Sequence, residues 1–106
     1  MEFVSGSKVY ILVDNPKTNI NFLPAEKFGE LVVLFDNNIS PTHLQRIYPE
    51  LCSKLSNIKA NDFLVPVGPP TLIALAGHAW LDKLGVINML TWDRETSQYY
   101  NVRAER

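Results

Sequence analysis

Three apolar runs constrain this chain more than anything else in it. "VYILVDN" (Val9 to Asn15), "LVVLFDNN" (Leu31 to Asn38) and "FLVPVG" (Phe63 to Gly68) are short and rich in β-branched and aromatic residues. Their apolar positions run on continuously. Alternation would mark a strand with one wet face, whereas an unbroken run marks a strand covered on both. Strands of that kind belong to parallel sheets, in which each return to the same edge requires a crossover of a dozen residues or more, usually helical. The first two runs stop at Asp-Asn, a turn signal, and Pro66 marks the third as a strand end or an edge.

The segments between the runs supply the crossovers. Ser40-Pro41 is a helix start, because serine caps free amides and proline tolerates the first helical position. Leu44, Ile47, Tyr48, Leu51, Leu55 and Ile58 then recur at helical spacing, with Cys52 on the same stripe as a small core residue. Pro49 interrupts the stripe and predicts two short helices or one bent one. Pro70 to Leu84 reads as a helix that is apolar nearly all round, with Thr71, His78 and Asp82 as a narrow polar line. Ala74 and Gly77 give it room for close packing, and Gly85 stops it. Pro16, Pro24 and Gly29 break up the stretch after the first run, leaving a short strand at Ile20 to Leu23 and one helical turn at Pro24 to Phe28.

The chain closes with a strand from Val86 to Trp92, a turn through Asp93 to Ser97, and a returning strand from Gln98 to Arg103. The expected fold is therefore α/β: a small, mostly parallel, Rossmann-like sheet with helices packed on it, ending in an antiparallel C-terminal hairpin. At 106 residues, one domain over 1–106 is expected.

Charge narrows the function classes. Ten basic residues against eleven acidic ones leave a formal charge of -1, so there is no broad positive field to hold a nucleic-acid backbone or an anionic membrane. No run approaches the ~18 apolar residues of a membrane helix, and "MEFVSGSKVY" has no signal-peptide pattern. The single cysteine and two histidines make no zinc pattern, and a reducing cytoplasm is the expected setting. His43, near a helix start, is expected to be exposed.

Gly68 lies between a strand and a helix, where phosphates often bind on free amides. Here it is followed by two prolines, which remove amide donors, and neither dinucleotide-type nor P-loop spacing is present. A turn is the stronger reading, with Gly68 and Thr71 as the phosphate contacts if there is a site. Asp14, Asp36 and Asp93 each end an apolar run. On one rim of a parallel sheet they could gather around Mg²⁺ or Mn²⁺, although Asp also starts turns. His78 and Asp82, one turn apart, have no nucleophile signature beside them. "WDRETSQYY" contains the Trp-Asp pair of propeller repeats, but only one copy of it. Trp92, Arg94, Tyr99 and Tyr100 read as cross-strand partners that could anchor a protein interface.

"INFLPAEKFGELVVLF", "VGPPTLIALA" and "VINMLTWDRETSQYY" together resemble small uncharacterised proteins of tailed phages, those of cyanobacteria in particular. The resemblance implies expression in an infected bacterial cell and carries over no catalytic residue. Two readings follow. The favoured one is a non-enzymatic accessory protein that binds a host or phage protein through Trp92, Arg94, Tyr99 and Tyr100 and self-associates through an exposed sheet edge. The other is a nucleotide- or Mg²⁺-binding, phosphoesterase-like domain using Asp14, Asp36 and Asp93 as metal ligands, with Gly68 and Thr71 on the phosphate.

Overall fold

The computed structural model describes residues 6–14, 20–36 and 44–106. Five strands form one mixed sheet. They are β1 (Lys8–Val13), β2 (Glu30–Phe35), β3 (Phe63–Val65), β4 (Val86–Asp93) and β5 (Gln98–Glu105), in the spatial order β2-β1-β3-β4-β5. The first four are parallel, and β5 returns antiparallel along β4 to form the C-terminal hairpin.

The most continuously apolar run lies inside the sheet. Every residue of β1 from Val9 to Val13 is buried, and β1 lies inside the sheet with β2 and β3 as neighbours. Its side chains alternate between two cores. Tyr10 and Leu12 face the layer that holds helices α1 (Leu44–Lys54) and α2 (Pro70–Leu84), while Val9 and Ile11 face the opposite layer. That second layer is thin: a 3₁₀ helix at Leu23–Phe28 is seated on it through Phe22 and Ala25.

Leu51 of α1 and Leu55 just past its end lie four residues apart and are buried together with Ile58. Pro49 sits within the helix without ending it, so of the two expected outcomes, two short helices or one bent one, a single helix spans these residues. Cys52 is exposed and not in the core, because it falls one residue past the buried Leu51. Helix α2 runs over the expected residues and buries Leu72, Ala76 and Trp80, a strict four-residue repeat. Trp80 meets Tyr10 of β1 edge to face, with ring centroids 5.6 Å apart.

Gly85 adopts the left-handed conformation expected of a helix stop, its amide bonded to the Leu81 carbonyl at 2.8 Å. Gly77 differs from expectation: among the described residues nothing lies within 4 Å of where its Cβ would be, so no element takes up the room it leaves. His78 is exposed, and the charged partner of Asp82 is Arg106, at 3.9 Å. The short strand expected at Ile20 to Leu23 is absent. Proline near the start of the 3₁₀ helix and Gly29 at its end confine this stretch to irregular chain and one short helix. The Ser40-Pro41 helix start and His43 lie outside the described residues.

The rim at the amino ends of the strands is held by a carboxylate. Asp62 is 1% exposed, and its two oxygens accept the Lys8 and Lys59 amides at 2.9 and 2.8 Å. Buried Asn88 on β4 donates to the Ala60 carbonyl and accepts from Asn101 and Arg103 of β5. These bonds satisfy polar groups that would otherwise be expensive to bury. Among the described residues no helix is long and apolar enough to cross a membrane.

Candidate functional site

The opposite rim, at the carboxyl ends of the parallel strands, carries the groove. Pro66 has no amide to offer the ladder, so β3 stops at Val65 and the chain turns away, with the Val67 amide bonded to the Val65 carbonyl at 3.0 Å. Strand β4 does not stop there. Leu64 is level with Met89, so Thr91, Trp92 and Asp93 run past the end of their neighbour. The notch this leaves opens on the thin layer.

The groove measures about 530 Å³, and none of its lining residues is charged. Val65 and Leu90 form part of its lining, Pro66 and Val67 come from the end of β3, and Ile20 and Asn21 come from the connection between β1 and β2. Asn21 is held in place by accepting the Leu23 amide at 3.1 Å. Trp92 and Tyr99, directly opposite each other in the hairpin, also line it, packed edge to face at 5.0 Å. Tyr99 is buried, which pushes its phenol above the ordinary value. Trp92 is 41% exposed and Ile20 44%, both large apolar side chains.

The residues singled out from the sequence are distributed as follows. Trp92 and Tyr99 are brought together in the groove. Arg94 is exposed at the hairpin turn, and Tyr100, 50% exposed, points to the helix side of the sheet because neighbouring strand residues alternate. Gly68 has φ +136°, and a Cβ on it would stand 2.8 Å from Val13 Cγ2, so its position is dictated by the close passage of β1. Thr71 is exposed in the first turn of α2, in the helix layer and away from the groove. The Ile73 amide is bonded to Pro69, which leaves Thr71 and Leu72 as the non-proline amides of that turn.

Asp14 and Asp36 follow neighbouring strands, with the Asp14 amide on the Phe35 carbonyl at 2.8 Å. Asp93 ends β4, with β3 between it and β1. Its carboxylate is engaged in the hairpin turn, accepting the Glu95 amide and the Thr96 hydroxyl, both at 3.0 Å. Among the described residues no three His, Cys, Asp or Glu side chains stand close enough to hold a metal ion. The structure thus does not gather the three aspartates into one group.

Residues 3–106 match the family model described as Phage Pam3 gp32-like protein. The chain belongs to that family. No curated protein matches it, and no solved structure does. For this Pam3 gp32-like protein, the resemblance to small tailed-phage proteins is met over nearly the whole chain.

Sequence reasoning missed most of the groove in this family member. Ile20, Asn21, Pro66 and Val67 reach it from irregular chain, where no period marks them. One signal was available: Pro66 had to shorten β3, while "VINMLTWD" continues for eight residues without a proline or glycine. A long strand beside a short one leaves a notch at the rim.

Proposed function

We propose that this phage protein acts by binding and not by catalysis, its groove at the carboxyl rim receiving an apolar anchor from a host or phage protein in the cytoplasm of the infected cell. The observation that supports this reading is the pair Trp92 and Ile20, both more than two-fifths exposed at the mouth of an uncharged groove. Large aromatic residues at a concave surface are the usual energetic centre of protein interfaces. Trp92→Ala is expected to leave the far-ultraviolet spectrum unchanged and to reduce capture of the partner from infected-cell lysate at least ~tenfold, a loss of about 1.4 kcal/mol. Capture that is indifferent to Trp92 would count against the groove.

A second reading draws support from the strand order. In β2-β1-β3-β4-β5 the chain reverses its direction of travel between β1 and β3, and open Rossmann-like sheets bind ligands outside the carboxyl ends of the strands at such a point. A nucleotide with Mg²⁺ would then meet only Asp14 and Asp36, which follow neighbouring strands, with Gly68 and Thr71 offered to the phosphate, because Asp93 is engaged in the hairpin turn. Thermal unfolding with Mg²⁺ and a nucleotide panel tests it, since a ligand at 100 times its dissociation constant adds about 2.7 kcal/mol. A stabilisation lost in Asp36→Asn would support this reading, and a flat panel would remove it.

A further inference from the structure

Among the described residues, the outer edge of β5 is the longest free edge of the sheet. It runs eight residues against six for β2 at the other side, and its register with β4 is unbroken from Gln98 to Glu105. It contains no proline or glycine and no bulge twists it away, so Arg103 and Glu105 are the only edge-protecting residues it carries.

Hydrogen-bond alternation fixes which groups the edge presents. The Arg106 amide bonds inward to the Gly85 carbonyl at 2.9 Å, so in an antiparallel ladder the even-numbered residues of β5 face β4. Tyr99, Asn101, Arg103 and Glu105 then direct their amides and carbonyls outward. On the helix side, this edge also exposes Tyr100 and Val102, at 50% and 40%.

We propose that β5 pairs antiparallel with β5 of a second copy about a two-fold axis at Asn101, making one sheet continuous through both copies. The sequence of the strand favours its own copy in this register. Tyr100 falls opposite the partner's Val102 twice, joining the exposed apolar side chains on one face. On the other face Arg103 falls opposite the partner's buried Tyr99 and Asn101 falls opposite itself, so no like charges meet there. An axis at Val102 would instead set Tyr100 opposite the small, half-buried Ala104, and an axis at Arg103 would set two guanidinium groups against each other. Only Tyr99 is shared with the groove proposed to receive a protein partner, its side chain lining the groove and its backbone lying on this edge, and neither variant below alters it, so either proposal can fail alone.

The experiment is mass measurement by light scattering and sedimentation across a concentration series, on the wild type and two variants. The wild type is expected to approach the mass of two copies as concentration rises. Tyr100→Lys/Val102→Lys, which puts like charges opposite each other on an exposed face, is expected to weaken association at least ~tenfold with the monomer spectrum unchanged. Asn101→Cys, made with Cys52→Ser to remove the exposed thiol, is expected to form an intermolecular disulfide on mild oxidation, since directly opposite residues of a hydrogen-bonded pair lie about 5.5 Å apart at Cα. A single-copy mass at every concentration overturns the proposal. So does a dimer that the lysine variant leaves intact, or a dimer of the Asn101→Cys variant that does not cross-link.

Discussion

Gly68 shows how one residue can carry two constraints at once. Its backbone is at φ +136°, where L side chains are strained, and its missing Cβ makes room for Val13 at the end of β1. Gly68→Ala is expected to destabilise the fold by ~2–4 kcal/mol, through overpacking and backbone strain together. Denaturant unfolding checks this, and adding Val13→Ala should recover only the overpacking part. The sequence shows that a glycine is needed between a strand and a helix. It does not show that the neighbour is Val13, because that contact joins distant parts of the chain. Asp62 was invisible for the same reason: a carboxylate among polar turn residues looks solvated until the Lys8 amide arrives from the far end of the chain. Asp93 was legible, since its turn bonds reach only two and three residues away.

At the scale of elements, α2 and the hairpin were read almost to their boundaries. Both are local objects, fixed by a four-residue repeat with a glycine stop and by a turn beginning at Asp93. The 3₁₀ helix and the end of β3 were read less well, because irregular chain is shaped by what it lands on. Pro49 is the element-scale anomaly. It is exposed within α1 and contributes no amide to the helix, so Pro49→Ala is expected to raise stability by about 1–2 kcal/mol, measured as a higher denaturant midpoint at unchanged slope. The gain is smaller than the full helical penalty of proline because alanine also loosens the unfolded chain.

Over the whole molecule, two buried phenols couple the fold to alkaline pH. Burial, then the Asp62 and Glu30 charges, raise Tyr10 above its ordinary value of 10.0, and burial alone raises Tyr99. Above that ordinary value the unfolded chain releases protons that the folded chain retains, so stability is full below it and falls as pH rises through it towards the raised folded values. Denaturant midpoints taken from neutrality to ~pH 11 should show the decline, and Tyr10→Phe with Tyr99→Phe should flatten it. The parallel sheet was legible in the three continuous runs, but the order of its strands was not, since periodicity carries no information about neighbours. That order places β1 inside the sheet, with both neighbours encoded after it. A chain growing from its amino end can give β1 its first partner at Glu30–Phe35, yet it must wait for Phe63–Val65 before the second can arrive. Until then the most apolar strand has an open flank, and loop closure over tens of residues sets the pace. The β4–β5 hairpin needs no such wait. Folding from within the hairpin and folding from the amino end are therefore separate events, joined when β3 docks between them.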